Sequence, residues 1–199
     1  MTVDDSAIEK LEGHLRSDQS RVFLDVWKAW RGSETAPRRS QAPIEDLGKV
    51  LPYTVVLEFV SELECLFQFT GSNIVELAGE DQTGTNFFEV LPPEHREVRI
   101  ARNLLLEKHP CGSFFKIETT LKGGAPMLRE SLGLPILPDS PDGHFRMIYV
   151  NTPLSDTSWQ MPIREGIALP LASDYRYVDI GAGVPERTSD LNVKPALSL

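Results

Sequence analysis

The chain has 199 residues, 41% of them hydrophobic and 25% charged, with a net charge of −9 and a pI near 5.0. That suits one soluble domain of ordinary size with extensions, and is short for two full domains. The acidic balance, with Lys and Arg scattered rather than gathered into a stripe, argues against nucleic acid or an anionic membrane surface as partner. No apolar run approaches the length of a bilayer span, and the chain opens on Asp4 and Asp5 rather than a basic region and an apolar core, so the cytoplasm is the expected location. Cys65 and Cys111 lack CxxC spacing and read as reduced, strand-embedded thiols.

Ser6 to Glu9 form a capping box, and Ile8, Leu11 and Leu15 recur at helical spacing, which predicts a short amphipathic helix. After a break at Ser17-Asp18, Val22, Phe23, Val26, Trp27 and Trp30 make a broader apolar stripe that stops at Gly32. Two tryptophans on one short helix need a surface to bury them. Phe23, Trp27 and Trp30 are therefore expected to cover the outer face of a sheet, in their own subunit or in the partner of a homodimer. The polar stretch 32–42 is a loop, and Pro43 opens a third short helix through Ile44, Leu47, Val50 and Leu51, closed by Pro52.

From residue 54 the period changes. Runs at 54–60 and 64–71, joined by a turn at 61–63, form a hairpin in which alternation places Phe67 and Phe69 on one face. Two helical pieces at 72–79 and 85–91 follow, then a longer helix opened by Pro93 and carrying Val98, Ala101, Leu104 and Leu105. Three strand-like runs, 111–121, 125–137 and 144–151, are joined by glycine-containing turns and predict an antiparallel meander. In the last of them Phe145, Met147 and Tyr149 share one face while Ile148 and Val150 share the other, so this strand needs a layer on each side. Glu130 has the parity of Leu128, Leu132 and Leu134. A carboxylate on an apolar face must be hydrogen-bonded, paired with a cation such as Arg99 or Arg102, or at the mouth of a pocket.

Two strands, a helical crossover and a three-stranded meander can close into one α+β unit, a five-stranded antiparallel sheet with the crossover helices on one face and the N-terminal helices on the other. Residues 27–151 resemble a bacterial family of short PAS-like proteins. The shared features are the Trp30-Arg31-Gly32 helix end, Pro37-x-Arg39 before Pro43-Ile44, Leu51-Pro52, the strand exit Phe69 to Ile74, Asp81-x-Thr83-Gly84 and Glu130-x-Leu132-x-Leu134-Pro135. The resemblance implies a sensory or adaptor module that binds a small ligand or a protein partner and signals in trans. The expected organisation is an N-terminal helical extension (1–52), a PAS-like core (53–155), a C-terminal extension packed on the core (156–183) and a disordered tail (184–199). A pocket between sheet and helices is expected at Phe67, Phe69, Phe88 and Leu104, with Phe115, Ile117, Glu130 and Leu132. Its ligand would be small and apolar or weakly acidic.

No cofactor or metal is expected. A flavin photosensor of this fold carries an Asn-Cys-Arg motif on the first crossover helices, where this chain has Asn73-Ile74-Val75. A haem sensor wants a histidine on the long helix; His95 lies in its first turn beside Glu94 and Arg96, as a solvent-facing residue does. Tyr177 to Gly183 looks like the first nucleotide-binding motif of a methyltransferase, but only sixteen residues follow it and Pro185 stands where a helix would open. The segment 175–180 is either one more strand or an extended piece along the domain. The chain is expected not to be an enzyme. The alternatives are an enzyme using the same pocket with Glu130 or His95 as acid or base, and a ligand-free structural interaction protein.

Overall fold

The structure is a computed structural model that describes residues 6–120, 126–154, 171–172, 174–186 and 191–195. Helix α1 spans Ser6–His14 and α2 spans Asp18–Arg31. The α2 start is fixed by Ser17, whose side chain accepts from the Ser20 N–H, and its end by Gly32 at φ 54°. The third predicted helix is a 3-10 helix, Ile44–Tyr53, kinked where Gly48 takes φ 47°. Strands β1 (Thr54–Ser61) and β2 (Glu64–Thr70) form the hairpin. Helices α3 (Ser72–Ala78) and α4 (Pro93–Lys108) make the crossover, and β3 (Gly112–Thr120), β4 (Pro126–Ile136) and β5 (Phe145–Pro153) make the meander. The second predicted crossover piece, 85–91, is not helical. Its backbone runs along β2 instead: the Gly84 N–H donates to the Phe67 carbonyl (2.7 Å) and the Phe87 N–H to the Cys65 carbonyl (2.6 Å). That covers an edge strand that would otherwise expose its ladder groups.

The sheet has six strands in the order β2-β1-β5-β4-β3-β6, with every pairing antiparallel. The sixth, β6 (Arg176–Val178), pairs with β3 and so adds one strand to the expected five. The disordered tail expected at 184–199 does not hold for residues 191–195, where Val193 is buried and the Lys194 N–H donates to the Tyr175 carbonyl at 2.8 Å. Most of the predicted C-terminal extension, 156–170, lies outside the described residues.

Strand alternation splits the core in two. Val56, Phe114, Leu132, Leu134, Ile148 and Val150 face the N-terminal helices, where Phe23, Leu24, Trp27 and Trp30 cover them. Val55, Leu57, Phe59, Phe67, Met147 and Tyr149 face the crossover helices. Trp27 is fully buried and its indole N–H donates to the Pro135 carbonyl at 2.9 Å, while that of Trp30 donates to Asp46 at 2.9 Å. The tryptophan helix thus covers its own sheet, and β5 is apolar on both sides because both sides are covered.

Candidate functional site

Between the crossover face of the sheet and helices α3 and α4 lies a cavity of about 420 Å³, within the range of small-molecule sites. Val55, Leu57, Phe67, Phe115 and Ile117 wall it from the sheet, and Ile74 and Leu77 from α3. Its polar lining has a different origin. Arg99, Arg102 and Asn103 stand three and four residues apart on α4, hence on one face of that helix, and Arg129 enters from β4. Tyr149 and Asn151 come from β5, and Tyr175 from the residue before β6.

Three guanidiniums therefore share one cavity, and only Glu80 among the described lining residues is acidic. Arg102 is buried; its Nε and Nη2 donate to the backbone carbonyls of Leu191 (2.8 Å) and Asn192 (2.9 Å), and its plane lies over the Tyr175 ring at 4.4 Å. Carbonyl dipoles orient the group without cancelling its charge. Burial, and next the charge of Arg102, lower Arg99 to about 10; burial, and next the charge of Arg99, lower Arg129 to about 10. Tyr175 is stacked on Phe115 with ring centroids 5.5 Å apart, so the C-terminal segment closes one wall with aromatic surface.

Of the side chains expected at a pocket, Phe67, Phe115 and Ile117 line the cavity. Phe88 is buried in the same core but lies behind Phe87, 5.9 Å between centroids, and does not reach the cavity. Leu104 is half-buried and absent from the lining, because it follows Asn103 by one residue and turns about 100° away from the face that looks inward. Phe69 sits on the other side of the sheet. A β-bulge at Gln68 pairs Leu57 with Phe67 but Val56 with Phe69, which reverses the alternation between the two phenylalanines.

Leu132 and Glu130 also face the N-terminal helices. Glu130 is fully buried, and its carboxylate accepts from the backbone N–H groups of Arg16 (3.0 Å) and Ser17 (3.1 Å) at the α1–α2 joint, not from Arg99 or Arg102. Glu130 and His95, the proposed acid or base groups, are thus both outside the cavity lining. The arginines and tyrosines were missed. The α4 triplet was detectable from its spacing, and Arg129 from its parity opposite to Glu130, but both signals mean something only once the crossover face is known. Cys65 and Cys111 are buried free thiols, and burial pushes both upward, Cys111 to about 12. Asp179 accepts from the N–H groups of Gly181 and Gly183, so the glycine-rich stretch is a side-chain-capped turn. Among the described residues no three His, Cys, Asp or Glu side chains gather as metal ligands would, and no helix is long and apolar enough to cross a membrane.

An antiparallel sheet running 2-1-5-4-3 through its first five strands, with crossover helices closing a cavity against one face, is the architecture of a sensory, ligand-binding α+β domain. The PAS domain family model matches residues 15–145, more than half of the chain, and the chain belongs to that family. The match takes in α2, so the tryptophan helix is part of the matched unit. No curated protein matches the chain by sequence. Among solved structures it is similar to a PAS-B domain variant of Drosophila melanogaster Cycle with bound glycerol (14% identity, 50% of this chain and 98% of that one, TM-score 0.37). It is also similar to a LOV protein of Rhodobacter sphaeroides (12%, 55% and 66%, 0.38) and to a fungal LOV domain photoreceptor (18%, 75% and 99%, 0.39). Likenesses of that size decide nothing about this chain's ligand.

Proposed function

We propose that this chain is a cytoplasmic sensory module that binds a small, largely apolar or weakly acidic ligand in the cavity and signals to a protein partner in trans, without catalysing a reaction. The observation that carries the reading is the 420 Å³ cavity on the crossover face, whose aliphatic and aromatic sheet wall faces polar side chains from α4, β4 and β5. A ligand-free interaction protein would fill that space with side chains, since packed interiors leave few voids larger than a water. A route outward is also present. Arg129 lines the cavity while its neighbour Glu130 holds the α1–α2 joint on the opposite face, so a ligand that shifts β4 also shifts what the N-terminal helices present.

Thermal melts of the wild type and Phe115→Trp against a library of small organic acids, alcohols and hydrocarbons test the reading. A ligand at a hundred times its Kd adds about 2.7 kcal/mol, which raises Tm by roughly 5–10 °C in a chain of this size. Phe115→Trp fills cavity volume and should abolish that shift while still melting cooperatively. Stabilisation equal in both proteins, or none across the library, sinks the proposal.

A further inference from the structure

We propose that the ligand is a neutral carboxamide, a primary amide or lactam on an apolar body, recognised by the side chain of Asn151; this rests on the cavity being the ligand site. Asn151 is half-buried on β5, an inner strand of the sheet, and lines the cavity. Among the described residues nothing hydrogen-bonds to its carboxamide. Asn103 differs, since its Nδ2 donates to the Arg99 carbonyl (2.8 Å) and its Oδ1 accepts from the Tyr149 hydroxyl (3.4 Å). Ser131, the partner of Asn151 across the β4–β5 ladder, is fully buried, and its hydroxyl has no hydrogen-bond partner either. On its other side Ser131 pairs with Phe115, itself a lining residue. This part of the sheet therefore holds neutral hydrogen-bonding capacity that the described residues do not use, where buried polar groups ordinarily find partners.

The chemistry of Asn151 sets the head group. A carboxamide presents a donor and an acceptor side by side in one plane, and a second carboxamide is its complement, forming two parallel hydrogen bonds with it. A carboxylate has acceptors only and would turn one of them toward the Asn151 Oδ1. The guanidiniums do not call for an anion, because Arg99 and Arg129 carry further interactions of their own and Arg102 donates to two backbone carbonyls. Gln82, the remaining amide of the lining, stands in the loop after α3, whereas Asn151 is placed by its ladder pairing. Val55, Leu57, Phe67, Phe115 and Ile117 offer apolar surface to the rest of the ligand. Allowing about 30 Å³ for each non-hydrogen atom, a water's share of liquid volume, the cavity takes about 14 such atoms. An aryl-alkyl or medium-chain amide fits this limit.

The test is calorimetric titration at pH 7.5 with 4-phenylbutanamide and octanamide, each compared with the methyl ketone that replaces its NH₂ by CH₃, 5-phenylpentan-2-one and nonan-2-one. The amides should bind about fivefold tighter than the ketones or more, the effect of a donor that the site answers. Asn151→Leu, similar in size but without the amide, should bring that preference below about twofold, while Phe115→Trp should weaken amide and ketone alike. A smaller preference in the wild type, with both probes blocked in Phe115→Trp, overturns the carboxamide assignment and leaves the cavity as the ligand site. So does 4-phenylbutyrate binding tighter than 4-phenylbutanamide, and a preference that survives Asn151→Leu overturns the role of Asn151. Amide binding that survives Phe115→Trp overturns both the assignment and the site. If no probe binds tighter than about 1 mM, the assignment to carboxamides of this size fails, whatever the library melts show. The wild-type comparison of amide with ketone stands even if the Asn151 variant fails to fold.

Discussion

Arg129 and Glu130 are consecutive residues with opposite duties, one charged group in the cavity and one under the N-terminal helices. Removing the Glu130 carboxylate leaves the N–H groups of Arg16 and Ser17 without their acceptor, Ser17 being itself buried. Glu130→Ala should cost about 2–3 kcal/mol, or roughly 5–10 °C in Tm, and Glu130→Gln, which keeps a carbonyl acceptor, about half as much. If both variants melt with the wild type, the carboxylate is not the tie between sheet and helices. Gly133 serves a different need. A Cβ there would lie 2.4 Å from the Tyr149 ring and 2.8 Å from the Ser113 hydroxyl, so only glycine lets Tyr149 lie across β4 at the cavity wall. Gly133→Ala should destabilise by about 1–3 kcal/mol, because Tyr149 must leave its place across β4 and turn elsewhere at the cavity wall. Unaltered melting would show that the ring yields without cost.

At the scale of elements, α2 is the cover that the two-sided β5 requires. Phe23 and Trp27 are fully buried and Trp30 nearly so within a single chain, so the face expected to serve a homodimer is already spent on the chain's own sheet. A homodimer then needs some other surface. Trp27→Ala should cost about 3–5 kcal/mol, the range for emptying a large aromatic site, and should leave the mass measured by light scattering at the wild-type value. A mass change at unchanged stability would put Trp27 at a contact between chains. The β2 bulge shows why such elements cannot be read residue by residue. All seven residues Glu64–Thr70 lie in β2, yet one extra residue moves Phe69 from the crossover side to the side of the N-terminal helices.

At the scale of the whole molecule, buried ionisable groups set the alkaline limit. The Cys65 and Cys111 thiols have an ordinary value of 9.0 and are raised in the fold, first by burial. A raised folded value contributes stability that is complete below the unfolded value and is lost as pH rises toward the folded one. Between pH 9 and 10 the unfolded chain releases thiol protons that the folded chain keeps. The wild type should therefore lose about 2 kcal/mol more than the Cys65→Ala, Cys111→Ala double variant across that unit, measured by urea unfolding. Arg99 and Arg129 act in the opposite sense, since their folded values of about 10 lie below the ordinary 12.5; they add stability only as pH rises through 10. Parallel curves for wild type and double variant would show the thiols to be in contact with water.

The order of elements and the two-sidedness of β5 were legible in the sequence, because period and turn chemistry are local properties that neighbouring residues carry together. So was the tryptophan helix, whose apolar stripe demands a covering role whatever lies beneath it. What the sequence by itself determined, then, is a sheet with helical layers on both faces and the PAS order of its parts. Which layer each side chain joins was decided in three dimensions. The bulge reversed Phe69, the pairing of 84–87 with β2 displaced a predicted helix, and Glu130 found its partners more than a hundred residues away at the α1–α2 joint. The arginine-lined cavity is of the same kind. Arg99 and Arg102 lie on α4, Arg129 on β4 and Tyr175 beyond the meander, and only the folding of the crossover over the sheet, with the C-terminal segment laid beside it, brings them round one cavity.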